Sequence, residues 1–307
     1  VLEHGIPSHD TFGRVFAQLD LEQFRASFAT WIAAVVEVAA GEVVALAGKQ
    51  LRRSHDKALG KEAIYMVSAW ATAQHLVLGQ RKVDEKSNEI TAIPQLLQLL
   101  ELKGCIVTID AMGCQKKIAQ AICAQGADYV LQVKGNQGTL LTELQELFDY
   151  ADQNGYQDCT YAKTTNKGHG RIEIRECWAT DAPDFLAYVH DQHKWCGLQT
   201  LVMLRAERRT PAATSIETRY YISSLPNDAS RLLQAARSHW GIENSLHWVL
   251  DVAFAEDDCR VRKDYGAENF ALLRHIALDL LKQEQSAKCG IKNKRLQTAW
   301  DTAYLPK

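Results

Sequence analysis

The chain reads Cys105-Ile-Val-Thr-Ile-Asp110, continues with helical apolar spacing from Gln115 to Gln125, and then reads Asp128-Tyr-Val-Leu-Gln-Val-Lys134. Both flanking runs are short and apolar, which is typical of buried strands. A further helix is predicted from Thr139 to Tyr150. A strand, a helix, a strand and a helix in this order predict parallel strands that are joined by a right-handed crossover.

Three apolar runs come before this region: Val43 to Ala47, Ala63 to Ala71 and His75 to Val83. The gaps between them are short, which predicts an antiparallel meander. Three meandering strands joined to two parallel strands are the plan of a ribonuclease H-like core. We therefore predict an α/β fold in which helices flank a mixed sheet. One of these helices is predicted from Ile90 to Leu102, with Pro94 tolerated only near its first turn.

The sequence outside these strands predicts further parts. Ser8 or Asp10 can cap a first helix near the N-terminus. Arg171 to Ala179, Leu198 to Arg205 and Glu217 to Ser223 read as strands of a β-rich insertion that precedes the last catalytic helix. The predicted parts are an N-terminal helical segment (1–40), a core (41–150 and 226–285), the insertion (151–225) and a basic C-terminal tail (286–307).

The composition of the 307 residues is ordinary for a globular protein, with 47% hydrophobic and 23% charged residues, which excludes disorder and coiled coil. The most apolar stretch, from Trp31 to Ala47, is interrupted by Glu37, Gly41 and Glu42, so no membrane span is predicted. The N-terminus lacks the basic and apolar regions of a signal peptide. A net charge of −2 argues mildly against a nucleic-acid binder unless basic groups are clustered.

The eight cysteines never form Cys-x-x-Cys and show no paired Cys/His spacing. A disulfide framework and a zinc site are therefore not predicted. Reduced thiols are typical of a cytoplasmic protein, and we expect that location. Because the chain begins with Val1 and not with Met, we also expect a processed or truncated form of something longer.

Asp110 is the first candidate for chemistry, because it ends an apolar strand. In open sheets with parallel strands, active-site groups gather at the carboxyl ends of the strands. Carboxylate oxygens are the ligands that Mg²⁺ prefers. The alternative is that Asp110 only caps the helix that follows.

The segment His239-Trp-Gly-Ile-Glu-Asn-Ser-Leu-His-Trp-Val-Leu-Asp251 is the second candidate. On a helix, Glu243, His247 and Asp251 are spaced by four and form a polar line beside an apolar stripe. A carboxylate in that line lies at the edge of the core, where it could meet a metal ion. The alternatives are a solvated face and an intrahelical contact between Glu243 and His247.

Basic residues follow the first strand of the meander. Lys49, Arg52 and Arg53 bring three positive charges near the predicted site, as phosphate binding requires. A solvated surface run is the alternative. Despite the acidic average, other basic groups give local contacts for a polyanion: Arg205, Arg208, Arg209, Arg260, Arg262, Lys263, Lys292, Lys294 and Arg295.

Several long strings of the chain, in order, resemble the H-repeat-associated insertion-sequence transposases of enteric bacteria. They are Ala45-Leu-Ala-Gly-Lys-Gln-Leu-Arg-Arg-Ser54, Val83-Asp-Glu-Lys-Ser-Asn-Glu-Ile90, Thr108-Ile-Asp-Ala-Met-Gly-Cys-Gln115, Val133-Lys-Gly-Asn-Gln137 and His239-Trp-Gly-Ile-Glu-Asn-Ser-Leu-His-Trp248. The resemblance covers nearly the whole chain, and family members extend further at both ends. It implies a DDE transposase, in which two Asp and one Glu on a ribonuclease H-like fold bind two divalent ions, Mg²⁺ or Mn²⁺, and move DNA phosphodiesters.

Carried over by position, the resemblance makes Asp110 the second acid and Glu243 the third, each a catalytic residue and a metal ligand. The first acid falls at Ala47, in a string that reads Asp-Gly-Lys in the family. A methyl group cannot ligate a metal ion, and Asp56, the nearest acid downstream, lies in a loop and is not expected to replace it. We therefore predict that this copy is inactive or severely impaired.

The resemblance also implies partners. DNA is expected as insertion-element ends and as target, with a homodimer on DNA and no membrane. The assigned DNA contacts are Lys49, Arg52, Arg53, Lys134, Asn136 and His247. Ala236, His239 and Leu250 stand where some related transposases carry Tyr, Arg and Lys, so any phosphate clamp must be built differently. A catalytically silent DNA-binding protein and a nuclease or phosphoesterase on the same fold stay open as alternatives.

Overall fold

A computed structural model describes residues 5–55, 60, 62–83, 88–168, 170–301 and 304. The chain divides into two compact units. The first unit comprises Val1–Glu37, Ala47–Leu100 and Gly241–Lys307, and the second unit comprises Val38–Leu46 and Glu101–Trp240. Residues of the predicted core, 41–150 and 226–285, occur in both units.

Within the described residues the strands are β1 (Val43–Gln50), β2 (Tyr65–Ala71), β3 (Leu76–Val83), β4 (Ile106–Ile109), β5 (Asp128–Val133), β6 (Thr160–Gly168), β7 (Arg171–Thr180), β8 (Thr200–Arg209) and β9 (Thr214–Ser223). The helices are α1 (His9–Gln18), α2 (Leu21–Val35), α3 (Glu89–Leu97), α4 (Lys116–Ala124), α5 (Gly138–Gln153), α6 (Pro183–Tyr188), α7 (Ala229–Ile242), α8 (Trp248–Phe254), α9 (Gly266–Gln283) and α10 (Ile291–Trp300).

The second unit is built on a mixed sheet with the strand order β1-β4-β5-β9-β8-β7-β6. β1 pairs in parallel with β4, where Val43 lies opposite Ile106, and β4 pairs in parallel with β5, where Ile106 lies opposite Asp128. Every residue of β4 is buried, which explains its continuous apolar run. The parallel strands predicted from this part of the sequence are confirmed.

The remaining strands of this unit are antiparallel. β5 pairs with β9, and β9, β8, β7 and β6 follow as successive antiparallel neighbours. The predicted β-rich region therefore continues the same sheet. β6 was not predicted, because its sequence Thr160-Tyr-Ala-Lys-Thr-Thr-Asn-Lys-Gly168 is polar and mostly exposed and lacks apolar alternation.

The core of the second unit lies between this sheet and α7. Leu232 and Leu233 of α7 pack in one buried cluster with Val43, Ile106 and Val202. The side chain of Asp228 caps the helix, since its Oδ1 accepts hydrogen bonds from the backbone N–H groups of residues 230 and 231 at 3.0 and 3.1 Å.

The first unit contains the β2–β3 antiparallel hairpin in the strand order β3-β2-β1. β1 continues beyond the predicted run as far as Gln50. Gly48 cannot carry a side chain, because a β-carbon there would overlap the side chains of Tyr65 and Glu89. Buried residues of α9 complete this core, and Asn269 donates to the carbonyl oxygens of Phe16 and Leu19 at 2.8 and 2.9 Å.

Three local predictions meet different outcomes. Ser8 caps α1, as one of the two predicted candidates. Pro94 lies inside α3 and not near its first turn, so the helix lacks one backbone donor there, and α3 ends at Leu97 and not at the predicted Leu102. The predicted tail contains a helix, α10.

No described helix has the length and apolarity that crossing a bilayer would require.

Candidate functional site

Asp110 directly follows β4 in the second unit and is half-buried. Its Oδ1 accepts a hydrogen bond from the backbone N–H of Met112 at 3.1 Å and caps one 3-10 turn, Ala111–Gly113. Asp110 therefore caps this turn and not the helix that follows, α4, whose N-cap residue is Gln115. The hydrogen bond from Met112 occupies one carboxylate oxygen of Asp110 and fixes the direction of this side chain at the carboxyl end of β4.

Two side chains of the turn after β5 donate hydrogen bonds to the backbone of the turn after β4. Asn136 Nδ2 donates to the carbonyl oxygen of Ala111 at 2.6 Å, and Gln137 Nε2 donates to that of Cys114 at 2.9 Å. These bonds fix the backbone beside Asp110. Asn136 was predicted to contact DNA, and its bond to Ala111 was not predicted, although amide side chains in adjacent turns of a parallel sheet offer a signal for it.

Ala47 lies in the middle of β1 and is buried, with 7% of its surface exposed. A methyl group carries no lone pair, so this position has no metal-binding atom in its side chain. Asp56, the acid nearest downstream, lies outside the described residues.

Lys49 binds three carboxylates of the first unit. Its Nζ lies 2.7 Å from Asp251 Oδ1, 3.1 Å from Glu256 Oε2 and 3.1 Å from Asp257 Oδ1. Burial alone would lower the pKa of Lys49, but these carboxylates outweigh burial and raise the pKa above its usual value. The ammonium that was assigned to DNA phosphate thus has three protein partners.

Arg52 and Arg53 form a 3-10 turn with Ser54 and face the same acidic run. Arg52 Nε lies 3.1 Å from Asp257 Oδ2, and Arg53 Nη1 lies 3.4 Å from Asp258 Oδ1. The two arginine side chains remain 77% and 47% exposed, so these ion pairs leave them accessible. The opposite charges of residues 49–53 and 256–258 are a signal in the sequence for this cluster, which was not predicted.

Glu243 begins a π-helical turn that extends to His247, between α7 and α8. The backbone N–H of Trp248 donates to the carbonyl oxygen of Glu243, which is the i to i+5 bond of a π-helix. Glu243 Oε2 lies 3.1 Å from His247 Nδ1, and the two side chains are 47% and 7% exposed. The intrahelical contact weighed as an alternative is therefore present, on a turn type that helical spacing did not predict.

A small cavity of about 10 Å³ lies inside the first unit beside His247. Its lining includes Gln80, His275 and Glu256. His247 Nε2, His275 Nδ1 and both amide atoms of Gln80 are buried, and the described residues supply them no hydrogen-bond partner. The ring of His247 thus joins a half-exposed carboxylate to a buried polar cavity.

His275 gives the unit a pH dependence. Burial and then the nearby charges of His247, Arg274 and Lys49 lower the pKa of His275 from 6.5 to about 3. As the pH falls, His275 of the unfolded chain therefore takes up a proton at a higher pH than His275 of the folded protein. The free energy of unfolding consequently decreases as the pH falls below 6.5. Relative to His275→Leu, the free energy of unfolding should fall by about 2 kcal/mol between pH 6.5 and 4.5.

The measurement is urea denaturation of both proteins across this pH range. His193→Gln is the control, because His193 is exposed and its removal should leave the profile unchanged. Parallel profiles for the parent and His275→Leu would contradict the prediction.

The family follows from a match over most of the chain. The profile of the family described as "Transposase DDE domain" matches residues 37–280. The chain belongs to this family.

Relatives agree with this assignment. "H repeat-associated putative transposase YhhI" of Escherichia coli (strain K12) is 42% identical over 310 residues, which cover 99% of this chain and 80% of that protein. "H repeat-associated putative transposase YbfD" of the same organism is 46% identical over 184 residues, or 60% of this chain and 72% of the relative. The resemblance to H-repeat-associated transposases is confirmed.

A solved structure of the piggyBac transposase synaptic complex with hairpin DNA is also similar. The TM-score is 0.50 at 10% sequence identity, and the match covers 97% of this chain and 61% of that chain. At this identity the similarity concerns the fold. It agrees with the mixed α/β architecture described above.

DDE transposases generally use divalent metal ions, so the donor set needs examination. Across the described ranges, no group of three His, Cys, Asp or Glu side chains is arranged to hold a metal ion. Asp110 and Glu243 each carry a carboxylate, but Ala47, where the resemblance implies the first acid, has no metal-binding atom in its side chain. The residues present therefore do not fit the two-ion set of an active member.

Proposed function

We propose that this chain is an insertion-sequence DNA transposase by descent, whose ancestral reaction is phosphodiester cleavage and strand transfer at element ends. The observation that carries the proposal is the family match over residues 37–280, together with H-repeat-associated relatives along the whole chain. Ala47 leads us to assign this copy as inactive or severely impaired. An active relative is expected to use two Mg²⁺ or Mn²⁺ ions.

Asp110 and Glu243 are the two acids that this copy retains under the proposal. Two local observations support the assignment. Each carboxylate is partly accessible and is held by a hydrogen bond within its own unit, to Met112 or to His247. A preoriented carboxylate loses less conformational freedom when it binds a cation.

The DNA contacts that we favour are Arg52, Arg53 and Lys134, because their side chains are exposed. Lys49 and Asn136 bond to protein groups instead, which favours structural roles for them. We assign the β-rich residues 151–225 as the family insertion before the helical region that bears Glu243.

A catalytically silent DNA-binding protein is the second candidate, and Ala47 favours it.

Both candidates predict binding to element ends. Duplexes copied from the two ends of the encoding element should bind more tightly than scrambled duplexes of equal length and composition, with an affinity that falls as salt rises. Equilibrium fluorescence anisotropy at two salt concentrations measures this, and equal affinity for end and scrambled DNA would refute the proposal.

A further inference from the structure

Lys282 lies at the end of α9 and contacts two other elements of the first unit. Its Nζ donates to the carbonyl oxygen of Ser245, inside the π-helical turn, at 3.0 Å. The same nitrogen lies 4.2 Å from the centre of the Trp70 ring, which is fully buried in β2. One ammonium therefore links the hairpin, α9 and the turn that carries Glu243.

The π-helical turn has a structural need for such a donor. A single π turn within a helix interrupts the regular i to i−4 hydrogen-bond ladder, and its conformation depends on contacts from outside the helix. Buried backbone carbonyl groups require hydrogen-bond partners. Lys282 supplies one directly to Ser245, two residues from Glu243 and two residues from His247.

Packing alone does not explain a lysine at position 282, because burial of its charge is unfavourable. Burial lowers the pKa of Lys282 to about 8, and the nearby Asp279 offsets only part of that effect. An apolar residue would fill the space beside Trp70 without this penalty. The ring face of Trp70 and the Ser245 carbonyl together provide the environment that a cation needs.

We propose that Lys282 is a positioning residue, which holds the π-helical turn and thereby the Glu243 carboxylate in its present orientation. The link to Glu243 is short: Lys282 fixes the backbone at Ser245, and His247, in the same turn, contacts Glu243 at 3.1 Å. The importance of that orientation for DNA cleavage rests on the proposed function, whereas the effect of Lys282 on the turn does not.

The first test measures backbone hydrogen exchange by mass spectrometry. Lys282→Met keeps the apolar stem and removes the donor and the charge, and it should raise exchange at residues 244–250 at least tenfold while α3 stays unchanged. Lys282→Arg keeps a cationic donor and should restore protection. Lys288→Met, at an exposed position, is the matched control and should change nothing.

Unchanged exchange at residues 244–250, or an equal rise throughout the unit, would overturn the proposal, because the latter indicates only lower global stability. If Lys282→Met does not fold, Lys282→Gln takes its place, since it also removes the charge and is too short to keep the contact. The same local rise in exchange is then expected.

The second test measures cleavage of end DNA in the Ala47→Asp background. Lys282→Met should lower the cleavage rate at least tenfold with end-DNA affinity unchanged, and Lys282→Arg should recover most of it. A full rate in Lys282→Met would overturn the link to Glu243. If the Ala47→Asp protein does not cleave end DNA, the proposed reaction is contradicted. The hydrogen-exchange measurement still tests whether Lys282 holds the π-helical turn.

Discussion

Replacing Ala47 by aspartate is expected to raise the rate of metal-dependent cleavage of element-end DNA by at least about 10²-fold over the present chain. Under the proposed function, the substitution returns a carboxylate to the position that we assign to the first acid. Groups that stabilise charge at a metal centre contribute several kcal/mol to the transition state, so the loss of one accounts for a change of this size. The measurement is a time course with a labelled end duplex in Mg²⁺, in Mn²⁺ and in EDTA.

The same variant has a second expected readout, because Ala47 is buried. A carboxylate at a buried position destabilises the fold unless it is paired or bound to a cation. The melting temperature of Ala47→Asp should therefore lie below that of the parent in EDTA and rise when Mg²⁺ or Mn²⁺ is added, since a ligand of the folded state stabilises it. The parent should show a smaller response to the metal.

Two controls separate metal ligation from a general effect of polarity. Ala47→Asn has a similar shape and no charge, and it should not cleave. Asp110→Asn in the Ala47→Asp background should return the rate to that of the parent. Cleavage by Ala47→Asn, or a full rate without the Asp110 carboxylate, would contradict the assignment of these acids. No cleavage with retained end binding would favour the silent DNA-binding protein.

The part of the fold that the sequence predicts is the part fixed by local pattern. β4, α4 and β5 were predicted to within about one residue at each end, because a buried parallel strand needs an apolar run and its connecting helix needs helical spacing. β6 was missed because an exposed strand is held by pairing with its neighbour, here Thr160 opposite Ala179, and not by its own side chains.

The candidate site was predictable only where one segment determines it. The positions of Asp110 at the end of β4 and of Glu243 beside His247 follow from spacing. The partners of Lys49 do not, because they lie about 200 positions further along the chain. The π-helical turn was not predicted either, because apolar spacing does not distinguish a single π turn from the α-helix on both sides of it.

Replacing Lys49 by methionine is expected to lower the free energy of unfolding by about 3 kcal/mol. Methionine keeps most of the length of the side chain, so the loss is mainly electrostatic. The Glu256 side chain is only 2% exposed, and without Lys49 its charge loses its nearest cation. This loss in the free energy of unfolding should lie near the lower end of the range for broken buried ion pairs. Asp251 and Asp257 are 33% and 24% exposed, so water can stabilise their charges.

Urea denaturation measures this effect, and a double-mutant cycle assigns it. Glu256→Gln should destabilise the parent, yet it should destabilise Lys49→Met less, because in that background the Glu256 carboxylate has already lost its nearest cation and keeps only Arg274, at 3.6 Å. Lys117→Met, at an exposed helical position, should change the free energy by no more than about 0.5 kcal/mol. Additive losses, or a loss below about 1 kcal/mol for Lys49→Met, would show that the carboxylates do not depend on Lys49. That result would return its ammonium to the set of groups available for DNA phosphate.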